Sequence, residues 1–450
     1  MMRSLYAGVA GLTAHQIKMD VIGSNIANVN TVAYKSQSVN FSDLMYQTIQ
    51  KASGSNENTG GVNPKQIGLG VKVAGFNNSI LQQGSAQNTG NAFDLMISGN
   101  SFFAVNNGSE TLYTRDGSFN VDAAGNLVMS SNGYNVMGWV AQKDENGEIS
   151  IDYNSNLKKL QIMSAENLTC EPVSTSKALC SGNIDGADLN VNSTEGKVIN
   201  LNFYDNTGYK HTAKFNLTKE NENQFKLTLT SINNEAGIPL SDEDFEHVSF
   251  GEEKSILISF DAATGKIIGN GLEKITFDRE YENLSFYGLV SNDEFDGTLE
   301  IDYSTLTNFN TEGISTINIT SGDSKGFNAG CSTGEMIGTS ISNNGQIYAN
   351  YSNGLTKLLG QIATARFSNA AGLLREGDNL YSQSLNSGEA VLEDITASGG
   401  YMQTGVLEMS NVDLSKEFTE MIITQRGFQA NSRIITVSDT MLEELTNLKR

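Results

Sequence analysis

Residues 407–450 read LEMSNVDLSKEFTEMIITQRGFQANSRIITVSDTMLEELTNLKR and place an apolar residue at every seventh position. The members of this series are Leu407, Leu414, Met421, Phe428, Ile435 and Leu442. A second series with the same spacing lies near the N-terminus and consists of Leu5, Leu12, Met19 and Ile26. A strict seven-residue repeat keeps one apolar stripe facing a partner when helices supercoil left-handedly. We therefore predict two terminal helices that run side by side as an antiparallel coiled coil, with these residues as the subunit interface.

The sequence also predicts where these helices begin, end and are weakest. The first helix is expected over residues 3–28 and the last from Leu414 to Leu448, with Asp413 as its N-cap. Gly8, Gly11, Gly23 and Gly427 lie inside them, and each glycine lowers helix propensity by about 1 kcal/mol relative to alanine. Helices of this composition are expected to become ordered only when they pack.

The region between the helices has the composition of turn-rich β structure, with 45 Gly and only 3 Pro among 450 residues. Strand, turn and strand patterns recur at residues 113–130, with Asp122 to Asn126 as the turn, and at 202–215 and 258–269. The predicted fold is mainly β with α-helical termini, as a nested multidomain chain. The expected ranges are 1–35 and 405–450 for the helical coiled coil, 36–75 for a connector, 76–144 and 330–404 for a β-rich middle domain, and 145–329 for an inserted, acidic, all-β outer domain or domains.

The charge and hydropathy patterns exclude several classes of partner. The formal net charge of −22 disfavours nucleic acid, whose binding depends on Lys and Arg, and disfavours an anionic membrane surface. No run of 18 apolar residues is present, so we expect no membrane insertion. The N-terminus lacks the long apolar run of a secretory signal peptide, and composition alone would place the chain in the cytoplasm.

No catalytic or metal-binding constellation stands out, so we expect no enzyme activity and no cofactor. Asp242, Asp244, Glu246 and His247 form an acidic cluster that lacks the Gly and distal Glu of a calcium loop, and a solvated loop is favoured. Residues 261–266, DAATGK, lack the leading Gly and trailing Ser or Thr of a phosphate loop and are interpreted as a hairpin turn. His15, His211 and His247 are scattered, and Trp139 is assigned to a core.

The segment SLYAGVAGLTAHQIKMDVIGSNIANVNTVAYK, residues 4–35, resembles the N-terminal segment of the bacterial flagellar rod and hook proteins. Their Ala-Asn-x-Asn-Thr-x-Gly-Tyr/Phe-Lys motif is matched here by Ala27, Asn28, Asn30, Thr31, Tyr34 and Lys35. Ala33 stands where the family usually has Gly, which concerns the backbone of that turn because Gly tolerates positive φ freely. Residues 90–105, 113–128 and 351–381 resemble the family's middle domain, and residues 204–211 and 407–450 are similar to its hook members in particular.

This resemblance implies a self-assembling subunit of a curved helical tube that couples the rotary motor to the filament. It implies export through the flagellar type III apparatus without a cleaved signal peptide, and an extracellular location in the basal body and hook. The implied partners are further copies of the chain, the distal rod protein, the hook cap protein, the hook–filament junction protein and the export apparatus. The chain length and the final Asn-Leu-Lys-Arg favour a hook protein over a distal-rod-like protein, which stays open, as does a secreted β-rich adhesin.

The three cysteines, Cys170, Cys180 and Cys331, form an odd set that leaves at least one thiol free. Some hook proteins cross-link their subunits through a dehydroalanine derived from Cys and a Lys. By this resemblance Cys180 is a candidate, with Lys158, Lys159 and Lys177 near it in sequence. A buried, inert thiol is the alternative that we favour, because free Cys is commonly buried.

Overall fold

The computed structural model describes residues 2–54, 60–143, 149–277 and 298–448. Part of the polar stretch 53–66 and the terminal Lys449 and Arg450 therefore lie outside the described residues. Two compact units are present: unit 1 is Met1–Ser164, Thr339–Ala349 and Leu358–Arg450, and unit 2 is Ala165–Gly338 and Asn350–Lys357. The described helices are α1 Met2–Ala27, α2 Ala165–Leu168, α3 Asp242–Glu246 and α4 Leu414–Asn447.

Strands make up most of the remaining structure, which confirms the predicted mainly β fold with helical termini. In the first part of unit 1 they are β1 Gln37–Asp43, β2 Tyr46–Gln50, β3 Lys65–Gly68, β4 Val71–Asn78, β5 Ala86–Asn88, β6 Leu95–Ser98, β7 Phe102–Asn106, β8 Thr111–Thr114, β9 Phe119–Val121, β10 Leu127–Met129, β11 Asn135–Val140, β12 Gln142–Lys143, β13 Ile149–Ser150 and β14 Lys158–Lys159. In unit 2 they are β15 Thr169–Cys170, β16 Lys177–Ser181, β17 Lys197–Tyr204, β18 Lys210–Asn221, β19 Gln224–Asn233, β20 Val248–Phe250, β21 Ser255–Ser259, β22 Leu272–Phe277, β23 Thr298–Asp302 and β24 Asn318–Ser321.

The chain passes between the units within β25 Gly334–Ile341 and β26 Gln346–Tyr351. The remaining strands belong to unit 1 and are β27 Thr356–Ile362, most of which lies in that unit, β28 Thr364–Arg366, β29 Leu374–Gly377, β30 Leu380–Ser382, β31 Val391–Glu393, β32 Tyr401–Thr404 and β33 Val406–Glu408. Two 3₁₀ turns, Ala370–Gly372 and Ile395–Ser398, complete the described elements.

Unit 1 is built on a sheet in which β27, β11, β7, β8, β30 and β29 are neighbours in that order. Its core is aromatic: Phe102 makes edge contacts with Phe367 and Tyr381, at ring-centroid distances of 5.8 Å and 5.9 Å. Strands from both halves of the sequence supply this core, so the middle region cannot close until the chain has returned from unit 2.

Unit 2 contains two sheets, β17-β18-β19-β21 and β20-β22-β23-β16-β24, whose inner faces share one core. Burial alternates along β17 and β18, as expected for strands with one face in a core and the other in solvent. Phe215 of one sheet meets Phe250 of the other edge-on at 5.5 Å. This packing defines a β-sandwich.

The structure differs from the predicted domain ranges at several places. Residues 330–338 and 350–357, predicted as part of the middle domain, belong to unit 2. Residues 149–164 belong to unit 1 because β14 pairs with β11 and Leu160 is buried beside that pair. The predicted connector 36–75 forms strands instead, since β1 pairs with β4 and β2 with β3. Polar composition hid these strands, because β2 and β3 are exposed on both faces and carry no alternating pattern.

Within the described residues, no helix has both the length and the apolar character needed to cross a membrane.

Candidate functional site: the terminal helix pair and its joint

Helices α1 and α4 lie against each other in antiparallel orientation within one chain. The contacts run in opposite directions along the two helices: Gly8 faces Ile435, Gly11 faces Asn431 and His15 faces Gly427. Further along, Lys18 Nζ is 2.5 Å from a carboxylate oxygen of Glu420, and Asn25 Nδ2 donates to Glu417 Oε1 at 3.2 Å. Asp413 caps α4 by accepting from the backbone N–H groups of Ser415 and Lys416, as predicted.

Three of the four helix glycines are positions of close approach between the helices. A Cβ at Gly11 would lie 2.6 Å from Asn431 Nδ2, and one at Gly427 would lie 2.7 Å from His15 Nε2. At Gly8 the nearest atom is Cγ1 of Ile435, 3.3 Å away. Gly23 has no such neighbour within 4 Å. Gly8, Gly11 and Gly427 therefore lower intrinsic propensity and, in return, let the two backbones come together.

The antiparallel pair of β1 and β4 packs on α1. Phe41 meets the His15 ring edge-on at 5.7 Å, and Lys18 Nζ lies 5.9 Å from the centre of the Phe41 ring. Gly70 lies against α1, where an added Cβ would be 3.2 Å from the Cβ of Ala10. Burial, and then the nearby charge of Lys18, lower the pKa of His15. The helix pair thus has a third component that the sequence did not indicate.

The predicted seven-residue series is only partly located in this contact. Eight members of the series in α1 and α4 are half-buried, and one of them, Ile435, meets Gly8. They are Leu5, Leu12, Met19, Ile26, Met421, Phe428, Ile435 and Leu442. Leu414 is exposed at the first residue of α4. The prediction that Leu407 belongs to the helical coiled coil is wrong: it lies in β33, seven residues before the first residue of α4, where it pairs with Gln87 of β5. A heptad count cannot detect the strand and turn that precede the helix N-cap.

A second apolar surface on the helices was missed by the heptad series and is left in solvent. The exposed side chains are Tyr6 and Val9 of α1 and Phe418, Ile422, Ile423, Ile434, Val437, Met441 and Leu445 of α4, with Leu448 at its end. Positions 434, 437, 441, 445 and 448 follow the three- and four-residue spacing of a helical stripe. That spacing is visible in the sequence, and it would have revealed the surface.

The motif residues at the end of α1 form a joint between the helices and the β body of unit 1. Asn28 Nδ2 donates to Ser24 O at 2.9 Å and Thr31 Oγ1 donates to Asn28 Oδ1 at 3.1 Å, so these side chains close the turn that follows Ala27. Asn30 is exposed in that turn. Tyr34 is buried and its hydroxyl donates back to Asn25 Oδ1 at 3.3 Å.

Ala33 has a left-handed backbone, with φ of +56°, and is buried. Its N–H donates to the carbonyl oxygen of Glu408 at 2.7 Å. The turn therefore has the conformation that glycine tolerates best, and this chain adopts it with alanine at a cost of about 1–2 kcal/mol.

A buried ion pair lies at the centre of the joint. Lys35 Nζ is 2.6 Å from Glu408 Oε1 and also donates to the carbonyl oxygen of Gln82 at 2.7 Å. Both charged side chains have 0% exposure, and so does Arg115, whose Nη1 is 3.9 Å from Glu408 Oε2. Burial lowers the pKa of Lys35, and the facing Glu408 carboxylate opposes that shift. Two cations and one carboxylate are thus enclosed together, held by backbone carbonyls that accept from both cations.

Further polar contacts bring distant parts of unit 1 to the same joint. Arg375 Nη2 donates to the carbonyl oxygen of Lys35 at 2.7 Å, with its guanidinium 5.6 Å from the centre of the Tyr34 ring. Asn379 Nδ2 donates to Val32 O, and Asn411 Oδ1 accepts from the N–H of Ser36. These contacts link the motif to residues more than 330 positions away, which no local pattern in the sequence predicts.

The residues predicted as cross-link candidates are not part of the joint. Cys180 lies in β16 with 0% exposure, and burial raises the pKa of its thiol to about 12. Lys177, on the same strand, is exposed. Lys158 and Lys159 are exposed residues of β14 in unit 1. A thiol so protected agrees with the inert interpretation, and the cross-link stays a prediction.

The other residues singled out in the sequence belong to a helix, a turn or a packed core. Residues 242–246 form the short helix α3 and not the expected solvated loop; its N-cap Ser241 accepts from the Asp244 N–H, and Asp244 is buried. The 261–266 segment is a hairpin turn in which Asp261 N donates to Lys266 O at 2.8 Å, and Trp139 is buried against Tyr153. His211 Nε2 pairs with Asp205 Oδ2 at 3.0 Å inside unit 2. In the part of the chain that the structure describes, no cluster of three or more metal-ligating side chains is present.

A β-rich body whose two chain ends return as one helix pair, locked to it by a buried joint, defines a structural protein of the axial type. Three family models match the chain: "Flagella basal body rod protein" over residues 5–35, "Flagellar hook protein FlgE/F/G D1 domain" over 96–166 and "Flagellar basal body rod FlgEFG protein C-terminal" over 403–448. The chain belongs to the flagellar rod and hook protein family.

Several relatives are similar over their full length. Flagellar hook protein FlgE of Treponema pallidum is 36% identical over 476 residues, and FlgE of Borreliella burgdorferi is 36% identical over 460; both alignments cover 100% of each chain. Flagellar basal-body rod protein FlgG of Bacillus subtilis is 28% identical over 452 residues, with the same coverage. The solved structure of Helicobacter pylori flagellar hook protein FlgE2 has 15% identity and a TM-score of 0.45, and covers 72% of this chain and 100% of that one. A similarity of that size supports no statement about the fold.

Proposed function

We propose that this chain is a structural subunit of the bacterial flagellar hook. It assembles with further copies into a curved helical tube that acts as a flexible joint and transmits torque from the motor and rod to the filament. The full-length similarity to hook proteins, at 36% identity, is the observation that carries the proposal. The paired helices with apolar side chains left in solvent support self-assembly, because such a surface is typical of a protein–protein contact.

The physical argument for assembly starts from the exposed stripe of α4. Phe418, Ile422 and Ile423 are at least half exposed, and burying the exposed part of each against a neighbouring copy contributes about 1–2 kcal/mol. A head-to-tail contact that does not close generates an open helical polymer. The apolar helix contacts resist twist in this proposal, while weaker contacts between the acidic units 2 allow neighbouring copies to slide as the tube bends.

The same proposal extends to location and partners. The chain is exported through the flagellar type III apparatus without a cleaved signal peptide and is located outside the cell, in the hook. Its partners at the two ends of the tube are the distal rod protein and the hook–filament junction protein, with the hook cap protein at the growing end. A distal-rod-like role is the second candidate, supported by the full-length match to a FlgG rod protein.

Electron microscopy of a strain that lacks the gene tests this proposal. A hook subunit predicts basal bodies that keep the complete rod but have neither hook nor filament. A distal-rod-like subunit predicts a shortened rod, and normal hooks in the deletion strain would contradict both candidates.

The assembly surface is tested by complementing that strain with Ile423→Asp. The exposed Ile423 is expected to be required for hooks but not for folding, because a surface substitution changes stability by about 0.5 kcal/mol or less. Gln425→Asp, at an exposed polar position of the same helix, is the matched control and should restore hooks. Normal hooks with Ile423→Asp would show that this stripe is not the assembly surface.

A further inference from the structure

Three loops of unit 2 meet and hold one another by hydrogen bonds. They are residues 183–192, 261–266 and 307–316. The side chain of Asn183 accepts from the N–H of Phe309 at 2.7 Å and donates to the Phe309 carbonyl at 2.7 Å. Asn308 N donates to Gly265 O at 2.8 Å, and Phe309 covers Gly265 so closely that a Cβ there would be 2.7 Å from its ring. The loops form one rigid structure.

Three large apolar side chains project from these loops into solvent. Leu189 is 85% exposed, Phe309 51% and Ile314 65%. We call these three residues the apolar tip. Each lies on a loop fixed by the hydrogen bonds above or by those of Asp185 and Asp188, so a partner would bind them without first ordering the backbone.

The two carboxylates of loop 183–192 point inward. Asp185 is buried and accepts from the N–H groups of Ala187, Thr311 and Gly313 at 2.9, 2.7 and 2.8 Å, and these hydrogen bonds lower its pKa. Asp188 is also buried and accepts from the N–H of Ser315 at 3.0 Å.

As a result, Glu312 is the one exposed charged side chain in loops 183–192 and 307–316, and the 261–266 loop adds the exposed Lys266 together with a partly exposed Asp261 of opposite charge. The apolar tip is therefore almost neutral.

A neutral tip is unusual on this unit. By sequence, unit 2 carries 28 of the 51 acidic residues but only 12 of the 29 basic ones. Two copies of so acidic a unit repel each other wherever their charged surfaces approach. The apolar tip is a place where a second copy can come into contact without that repulsion. A basic partner, in contrast, would be recognised by several exposed carboxylates, whereas loop 183–192 buries both of its own and Lys266 offsets part of the remaining negative charge.

We propose that the apolar tip of unit 2 is a contact surface for a second copy of this chain in the assembled polymer. This inference rests on the self-assembly proposed above and adds a surface to it that is separate from the terminal helices. Because every copy in a helical polymer has equivalent neighbours, the contact repeats along the tube. A contact of three side chains is small, which suits neighbours that must shift when the tube bends.

Photo-cross-linking in the complemented deletion strain tests the contact directly. The photoreactive p-benzoylphenylalanine is introduced in place of Leu189, cells are irradiated, and the products are separated by denaturing electrophoresis. The expected result is a ladder at multiples of the 48.5 kDa chain. Hooks that are visible by electron microscopy but yield only monomer, or a product with a different protein, would refute the contact while leaving the hook function intact. Normal hooks in the deletion strain would contradict both the contact and the hook function.

A matched pair of variants supplies the second test. Ile314→Asp places a carboxylate in the apolar tip, and Ile238→Asp makes the same change at a side chain of similar exposure, 65% against 61%. Ile238 follows the far end of β19, whose first residues lie beside the tip loops. We expect Ile314→Asp to raise the protein concentration needed for polymerisation about tenfold, and Ile238→Asp to leave it unchanged. Equal effects of the two variants, with unchanged thermal unfolding of both monomers, would overturn the proposal.

Discussion

Replacing two helix glycines with alanine should have opposite effects on the free energy of unfolding, although both lie in terminal helices. At Gly23 an added Cβ meets no atom within 4 Å, whereas at Gly427 it meets His15 Nε2 at 2.7 Å and Cε1 at 2.8 Å. The imidazole also packs edge-on against Phe41 at 5.7 Å, so moving the ring away from Gly427 disturbs that contact. The pair therefore separates helix propensity from packing between the helices.

The expected magnitudes follow from these contacts. Each alanine gains about 1 kcal/mol of helix propensity over glycine. Gly23→Ala receives that gain without opposition. Gly427→Ala has the same gain, but overpacking against His15 lowers its free energy of unfolding by about 1–3 kcal/mol. We expect Gly427→Ala to lie about 1–3 kcal/mol below Gly23→Ala in the free energy of unfolding of the helix pair.

Urea unfolding of the full chain, followed by circular dichroism at about 222 nm and by amide exchange in α1 and α4, measures this difference. The double variant His15→Ala with Gly427→Ala completes a cycle, since removal of the ring should abolish the overpacking and leave the propensity gain. If Gly427→Ala stabilised the helices as much as Gly23→Ala, or if the cycle showed no coupling, the described packing of α1 on α4 would be refuted.

Three further predictions concern the joint and the helix contact. Glu408→Gln leaves the buried Lys35 without its counter-charge and should lower the free energy of unfolding by about 3–5 kcal/mol. Glu393→Gln, in the partly exposed pair with Arg366, should lower it by about 1 kcal/mol or less. Urea titration compares the two variants, and equal losses would contradict the burial argument. The free energy of unfolding of Ala33→Gly should stay within about 1 kcal/mol of the parent, because relief of the left-handed backbone is offset by unfolded-state entropy and a lost methyl group. The β-branched Ala33→Val should be clearly destabilised. Thermal unfolding of both variants checks this, and a tolerated valine would refute the positive φ. Because the fold lowers the pKa of His15 below its ordinary 6.5, the contribution of this residue to stability should be complete above pH 6.5 and should be lost as pH falls from 6.5 through the lower pKa of the folded chain. His15→Gln should flatten this dependence in urea titrations, and a parent chain that gained stability on acidification would contradict it.

Local patterns were sufficient for the elements whose signals lie close together in the chain. The seven-residue spacing and the Asp413 cap predicted both terminal helices, and short hairpins such as the one at Asp122–Asn126 appear as expected. The signal failed where partners are distant. Leu407 fits the heptad by count, yet pairing with β5, some 320 residues earlier in the chain, places it in a strand.

The joint could be predicted only in part. The motif from Ala27 to Lys35 pointed to residues of importance, but nothing in it indicated Glu408, Arg115 or Arg375 as their partners. Similarly, the two aspartates of the 183–192 loop add to the negative charge when counted from the sequence. Only the hydrogen bonds of the folded loops show that they face inward and add no exposed negative charge to the apolar tip.

The sequence by itself determined the fold class, the helical ends, the acidic character of unit 2 and the family, because propensity, periodicity and charge act over a few residues or are sums over many. The tertiary structure decided which helix faces meet, why glycines occur where they do, and which charges are buried. These features depend on distances between atoms that are far apart in the chain. A repeat in the sequence can show that an apolar surface needs to be buried, but only the packing of the folded chain shows which apolar surface remains exposed.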